Sequence, residues 1–187
     1  SRRGTLPARY RKEATLDEIA DDIGGGYHKV VPEFLKVRTP EDNIDRGLGV
    51  YRLWGMAYRP ELVGVEREFR REGDYTHVTY HTPLGSVSCK ILYSDEMKRA
   101  GASITWISEP VLKEPRDYKI VGYIFKNIKI HPDYENYREY QRKVGEKGFA
   151  AAFANLSGSP RHHIMKEFLD ATKFYLEMYD HPKEMRG

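Results

Sequence analysis

The sequence predicts an α/β fold in which a buried strand turns sharply into a long helix. Residues 149–156 form a short apolar run without helical punctuation, which is typical of a strand covered on both faces. Residues 157–159 supply a small-residue turn, and Pro160 suits the first position of a helix. Apolar residues then recur at helical spacing from Ile164 to Met178. Because ligands of α/β proteins usually meet the loop after such a strand, this segment also predicts the location of the site.

Composition restricts the class of protein. Of the 187 residues, 40% are hydrophobic and 32% are charged, as in an ordinary globular protein. The 31 basic and 28 acidic residues are interspersed and leave a net charge of +3, so the sequence does not favour nucleic-acid binding. The single cysteine, Cys89, excludes an internal disulfide and a zinc site with several cysteines in this chain. With no signal-like start and no membrane-length apolar run, we expect a cytoplasmic protein that does not bind membranes.

The first half of the chain contains one clear helix. Thr15 is a helix cap followed by two acidic residues, so a helix is expected over residues 16–23, ended by the glycines at 24–26. The glycine run lacks the residues of a phosphate-binding loop and is interpreted as a flexible break. Further elements are expected as follows: a turn at 39–42, strands at 49–54 and 63–69, and a break between these strands at 58–61.

A β-hairpin is the clearest signal in the middle of the chain. Residues 75–82 and 86–93 each show the alternating side-chain pattern of a β-strand, and the turn at 83–85 joins them. Other elements are expected as follows: a strand at 103–107, a helix from Pro115 to residue 123 or 125, and a helix that opens at 131–133 and closes at Gly145. Since one buried strand and one helix need neighbours to complete a sheet, the chain is interpreted as part of a larger α/β protein or as half of a shared core.

Two pairs of histidines are candidates for chemistry. His77 and His81 share a face of one strand, but their attachment points are about 13 Å apart, which is too far to chelate one ion. His162 and His163 follow Arg161 at a helix start, where either could donate to an anionic ligand. The alternative at this position is an ordinary solvated first turn.

Four segments resemble the uroporphyrinogen decarboxylase superfamily, and in particular its decarboxylase-like branch that includes corrinoid-linked methyltransferases. They lie at residues 114–125, 130–137, 149–160 and 174–182, in the order of that family. The resemblance implies a partial (β/α)8 TIM barrel, its front half, with an inserted β-hairpin and N-terminal helices. It divides the chain into a variable N-terminal part, 1–74, and the barrel part, 75–187, with the hairpin at 75–93. Barrel closure would need more strands than this chain contains.

The departures from the family decide which activity the resemblance implies. Residues 54–61 only faintly echo the arginine motif of true decarboxylases, and Lys166 stands where those enzymes have a tyrosine. Methyl transfer with a corrinoid partner is therefore the first expectation. The zinc ligands of that branch, a His-x-Cys pair and a later cysteine, belong to the back half of the barrel, so no cofactor is expected within this chain and no catalytic residue is carried over.

The expected substrate contacts are four residues after the buried strand. Asn155 and Ser157 would offer neutral hydrogen bonds, while Arg161 and His162 would meet an anionic group. Two alternatives stay open: a decarboxylase of a tetrapyrrole or other acidic substrate, and a non-catalytic binding or assembly module on the same fold. The expected partners are a small-molecule substrate, a corrinoid protein, and either a second copy of the chain or the missing barrel half.

Overall fold

The computed structural model describes residues 7–11, 14–26, 47–50, 55–100, 102, 105–151, 159–183 and 185. Across these ranges the structure is a mixed α/β arrangement with two antiparallel sheets and several helices. The strands are Tyr58–Leu62 (β1), Glu66–Glu72 (β2), Tyr75–Thr82 (β3), Gly85–Leu92 (β4), Trp106–Glu109 (β5) and Ile128–Pro132 (β6). The α-helices are Leu16–Ile23 (α1), Asp95–Arg99 (α2), Pro115–Lys126 (α3), Tyr134–Val144 (α4), Pro160–His163 (α5) and Ala171–Asp180 (α6). Short 3₁₀ turns lie at Ala8–Tyr10 and Gly145–Lys147, and a π-helical segment lies at Ile164–Phe168.

The predicted hairpin is confirmed and forms the centre of the larger sheet. The strand order is β2-β3-β4-β5, and every neighbouring pair is antiparallel. Val78 lies opposite Cys89 and Tyr80 opposite Val87, as the alternation of the two segments requires. The hairpin strands β3 and β4 are thus the central strands of this sheet. The hairpin is not an insertion that projects from a separate sheet.

The main core lies between one face of this sheet and α3. Inward-facing residues of β3 and β4 alternate with polar residues that face the opposite side, which is the usual pattern of an antiparallel sheet with one covered face. The C-terminal helical segment closes the core through Phe168, Leu169 and Phe174. The buried residues contributed by the sheet and α3 are Val78, Tyr80, Val87, Cys89, Ile91, Ile120, Val121 and Ile124.

The second sheet, β1 with β6, corrects the prediction made for residues 58–61. Residues 58–61 were expected to break the chain, but they form β1, with Pro60 opposite Ile130. A proline is tolerated because each strand of a two-stranded sheet has an open edge. The helix expected to open at 131–133 and to close at Gly145 is confirmed as α4, which begins at Tyr134 after Asp133 and ends before Gly145. The sheet adds that residues 131 and 132 are also the end of β6. The pairing joins segments about 70 residues apart, which short-range patterns cannot reveal.

Other elements agree with the sequence to within a few residues. The helix over residues 16–23 is confirmed, with Thr15 as its cap and Gly24 in the left-handed conformation that ends it. The helix from Pro115 is confirmed and extends to Lys126. The strands expected at 63–69 and 103–107 begin three residues later, at Glu66 and Trp106. Within 49–54 only the first two residues are described, Gly49 in a turn and Val50 in an isolated bridge, and the turn expected at 39–42 lies outside the described residues.

The partial barrel is not confirmed. A barrel of that type is built from parallel strands, whereas all strand pairs among the described residues are antiparallel, and the sheets do not close. Residues 149–151 lie outside any strand, and the Phe149 side chain is fully exposed, so its predicted burial is wrong. The rest of the predicted strand, residues 152–156, lies outside the described residues.

Candidate functional site

The segment that contains the predicted site residues is two short helices and not one long helix. Ser159 caps α5, its hydroxyl accepting a hydrogen bond from the His162 amide at 3.1 Å. After the π-helical segment, Leu169 is extended, and Asp170 caps α6 by accepting from the Lys173 amide at 2.8 Å. The continuous helix predicted from Pro160 across Met178 is therefore wrong at Leu169. A second N-cap after a π-turn restarts the helix in a new direction.

The structure describes two of the four predicted contact residues. Asn155 and Ser157 lie outside the described residues. Arg161 and His162 are neighbours on the exposed first turn of α5. The His162 amide already donates to Ser159, and α5 has only four residues, so any anion held here would be bound mainly by the two side chains and little by the helix dipole.

His163, the next residue, faces inward and performs a different task. Its ring packs against the rings of Phe168 and Phe125, with centroid distances of 4.9 Å and 6.1 Å. Its Nε2 lies 2.8 Å from the Leu48 carbonyl oxygen. Since a carbonyl only accepts hydrogen bonds, Nε2 carries the proton and donates. His163 therefore fixes the turn at Leu48 to the C-terminal segment and is not directed at a ligand.

Glu167, one helical turn further, is a buried carboxylate that sequence reasoning missed. It has no exposed surface, and its Oε1 lies 3.5 Å from Lys166 Nζ. An ionised side chain at such depth is costly unless it is paired, so buried acids are either structural anchors or functional groups. The sequence offered one usable signal, the spacing of four between His163 and Glu167, which places both on one helix face.

The turn at residues 47–49 lies between this helical segment and the main sheet. At Gly49, where φ is +64°, an added Cβ would lie 2.6 Å from His163 Cε1 and 3.1 Å from Glu167 Cγ. At Gly47, an added Cβ would lie 2.6 Å from the Tyr80 hydroxyl oxygen. Glycine is required at both positions because backbone approaches side chains on both sides. We call Leu48, Gly49, Phe125, His163, Glu167 and Phe168 the turn-binding cluster.

Tyr118, on α3, is the described group whose acidity differs most from normal. Burial, with a contribution from the nearby Glu177 carboxylate of α6, raises the pKa of Tyr118 to about 12. The hydroxyl therefore stays protonated at physiological pH and can serve only as a neutral donor or acceptor. Its position between α3 and α6 suits a packing role.

Metal binding finds no support among the described residues. They contain no group of three or more histidine, cysteine or acidic side chains that could hold an ion. Cys89 is a core thiol, 2% exposed. His77 and His81 contact different carboxylates, Glu72 at 3.3 Å and Glu68 at 3.4 Å. The described side chains do not fit the zinc implied by the methyltransferase resemblance.

One hydroxyl–imidazole–carboxylate chain is formed on the polar face of the main sheet. Ser86 Oγ lies 2.9 Å from His81 Nδ1, and His81 Nε2 lies 3.4 Å from Glu68 Oε2. The order of groups is that of an activated nucleophile. However, the side chains of His81 and Glu68 are 42% and 67% exposed, so water competes for both contacts. The geometry supports a surface hydrogen-bond chain that joins three strands.

Comparison of the chain with family models, with curated proteins and with solved structures found no match. The resemblance to the uroporphyrinogen decarboxylase superfamily therefore rests on the sequence segments quoted above. None of the helices in the described ranges combines the length and apolar character needed to cross a membrane.

Proposed function

We propose that this chain is part of a uroporphyrinogen decarboxylase-like enzyme of the methyl-transfer type, which works with a corrinoid partner. Within it, Arg161 and His162 would receive an anionic group of the substrate, and Asn155 and Ser157 would add neutral hydrogen bonds. The order of the four family-like segments supports the class of enzyme. One observation supports this binding site most directly. Within a single turn of α5, Arg161 and His162 are exposed, whereas His163 faces inward and holds the turn in place.

The anchor makes the exposed pair suitable for binding. His163 is fixed by its hydrogen bond to Leu48 and by two aromatic rings, so the turn that bears Arg161 and His162 has a defined position relative to the sheet. A guanidinium offers a planar pair of donors to a carboxylate or phosphate, and an adjacent imidazole adds a third. A preorganised donor set loses less entropy on binding than mobile surface side chains do.

The role of this chain in the reaction is limited to binding and orientation. The described residues do not fit a zinc site, and the resemblance assigns the zinc ligands to another part of the barrel. When a corrinoid is bound by the whole enzyme, it supplies the methyl group. The residues of this chain would hold the anionic end of the acceptor.

The activity is tested by incubating the protein encoded by the complete reading frame with methylcobalamin and a thiol acceptor. Formation of cob(I)alamin together with the methyl thioether supports methyl transfer. Formation of coproporphyrinogen from uroporphyrinogen, without demethylation of methylcobalamin, would instead identify a tetrapyrrole decarboxylase. If neither product forms, both methyl transfer and tetrapyrrole decarboxylation are excluded for these substrates.

The binding site is tested separately by calorimetry with the acceptor. The double variant Arg161→Ala/His162→Ala should weaken binding by about tenfold to a hundredfold, as expected for the loss of a guanidinium and an imidazole hydrogen-bond donor at a partly exposed site. Arg138→Ala is the matched control, because Arg138 is an exposed arginine of α4 with a 68% exposed side chain. Unchanged affinity in the double variant would remove the assignment of Arg161 and His162.

A non-catalytic assembly module is the second candidate, and the outer surface of α6 favours it. Tyr175, Leu176 and Tyr179 are large residues with more than half of their surface exposed. The main sheet also ends at β5, whose Trp106 is 62% exposed. Sedimentation of the 187-residue chain tests this second candidate, since a monodisperse monomer of 21.8 kDa would count against an assembly role.

A further inference from the structure

A π-helical turn follows the exposed basic pair of α5. Residues Ile164–Phe168 form this turn, and the Leu169 amide donates to the Ile164 carbonyl oxygen, five residues back, at 3.0 Å. A hydrogen bond over five residues widens the helix, and such widened turns are rare in proteins and frequent at functional sites. The basic side chain that this turn carries is Lys166.

The π-turn brings Lys166 towards Arg161 and His162. In a regular α-helix, a residue lies about 40° from the residue four positions earlier and about 140° from the residue five positions earlier. A wider turn rotates less per residue, so it moves Lys166 into line with His162 and reduces its angle from Arg161. Of the five residues in the π-turn, Lys166 alone is exposed.

A buried carboxylate fixes the position of the Lys166 ammonium group. Lys166 Nζ lies 3.5 Å from Glu167 Oε1, and Glu167 has no exposed surface. The Lys166 side chain is 39% exposed, so its ammonium group contacts the protein on one side and remains open to a ligand on the other. Because the carboxylate is buried, it holds the ammonium group at the helix surface and is itself inaccessible to a ligand.

The exposed charges of this segment favour an anion. Its two acidic residues are both engaged elsewhere: Glu167 is buried, and Asp170 follows the extended residue Leu169 and accepts from the Lys173 amide at 2.8 Å as the cap of α6. None of the exposed residues of α5 and the π-turn is acidic; they are Pro160, Arg161, His162 and Lys166.

Three donor groups fit a phosphate better than a carboxylate. A guanidinium can bind two oxygens of an anion at once, and an ammonium group binds a further oxygen as a point charge. A phosphate group presents three strong acceptor oxygens and nearly two negative charges at neutral pH, whereas a carboxylate has two oxygens and one charge. The side chains therefore match the number of oxygens and the charge of a phosphate.

We propose that the anionic end of the acceptor is a phosphate or phosphonate, and that Lys166 is the third contact, the residue that selects this group over a carboxylate. Lys166 can have this role only if Arg161 and His162 form the binding site proposed above, so the assignment rests on that proposal. It adds the chemical class of the acceptor and one further residue to it.

Calorimetry with two small anions tests the selection without the reaction. The protein encoded by the complete reading frame is titrated with inorganic phosphate and with acetate at about pH 8, where phosphate is largely dianionic. Wild-type protein should bind phosphate at least tenfold more tightly than acetate. Lys166→Met should remove most of this difference, whereas Lys166→Arg, which keeps the charge, should retain it. Lys129→Met is the matched control, since Lys129 is an exposed lysine of β6, and it should change neither affinity.

A second variant allows for a loss of stability in Lys166→Met. That substitution leaves the Glu167 carboxylate without its lysine, and a buried charge that loses a partner destabilises a protein. Lys166→Met/Glu167→Gln removes both charges and should lose the preference for phosphate to the same extent. A wild-type preference in this double variant, or an equal weakening of phosphate and acetate in Lys166→Met, would overturn the proposal.

Arg161→Ala/His162→Ala distinguishes a failure of this proposal from a failure of the site. If that variant weakens phosphate binding and the Lys166 variants do not, the site stands and the role of Lys166 is refuted. If phosphate does not bind, or binds equally to all variants, both assignments fail. In the methyl-transfer assay, a thiol acceptor that ends in phosphate should have a higher kcat/KM than one of equal length that ends in a carboxylate, and a higher value for the carboxylate would refute the class of acceptor.

Discussion

Replacing Gly49 by alanine tests whether the turn at 47–49 is held against the turn-binding cluster. Two effects add at this position. A left-handed backbone costs a non-glycine residue about 1–2 kcal/mol. The new methyl group would also lie 2.6 Å from His163 Cε1 and 3.1 Å from Glu167 Cγ, and overpacking of this kind costs about 1–3 kcal/mol. Gly49→Ala should therefore destabilise the protein by about 2–5 kcal/mol.

Gly73→Ala separates the two effects. Gly73 lies in the turn between β2 and β3 with φ +58°, close to the value at Gly49, but nothing lies within 4 Å of an added Cβ. Its substitution should cost only the backbone part, about 1–2 kcal/mol. Urea unfolding of both variants measures the difference in the free energy of unfolding, provided that the m-value is unchanged.

A double-mutant cycle then tests whether the additional destabilisation by Gly49→Ala, relative to Gly73→Ala, comes from contact with His163. In a His163→Ala background the ring is absent, so Gly49→Ala should cost little more than Gly73→Ala does. If Gly49→Ala and Gly73→Ala are equally destabilising in the wild-type background, the close approach of the turn to the cluster is refuted. If the excess persists without the imidazole, the clash lies elsewhere.

Three further predictions concern buried or capping groups. Glu167→Gln should lower the free energy of unfolding by about 1–3 kcal/mol in urea titrations, because the amide cannot replace the contact between Glu167 Oε1 and Lys166 Nζ; no loss would mean that this contact is not an anchor. The raised pKa of Tyr118 means that the unfolded chain loses this proton near pH 10 and the folded chain near pH 12, so stability should fall across that range and fall less in Tyr118→Phe; equal slopes would contradict the burial argument. Asp170→Ala should cost about 1 kcal/mol and Asp170→Asn much less, by thermal unfolding, since only the asparagine retains the cap.

Elements held by local interactions were predictable from the sequence. In α1, Thr15 and Glu18 form reciprocal side-chain-to-backbone hydrogen bonds, and these lower the pKa of Glu18. All the residues of this capping box lie within four positions of each other, so the pattern is visible in the sequence. The β-hairpin was equally predictable, because its two alternating segments and the turn between them follow one another directly in the sequence.

Elements held by distant partners were not predictable. Residues 58–62 contain a proline and two charged residues, and nothing local marks them as a strand until β6 is beside them. Similarly, the polar residue Asp170 follows an apolar stretch with helical spacing, and periodicity alone does not show that the helix restarts there. Pairing and re-capping depend on the tertiary contacts that make an alternative backbone path favourable.

The candidate site shows the same limit within a single turn. The sequence places Arg161, His162 and His163 together as three equivalent basic residues at a helix start. In the structure, successive side chains point about 100° apart, so the first two face solvent while His163 meets the Leu48 carbonyl and two aromatic rings. The partners that distinguish them come from residues 115 and 38 positions away, at Leu48 and Phe125. A variant at His163 should therefore reduce the stability of the protein, whereas variants at Arg161 and His162 should change ligand affinity and leave stability nearly unchanged.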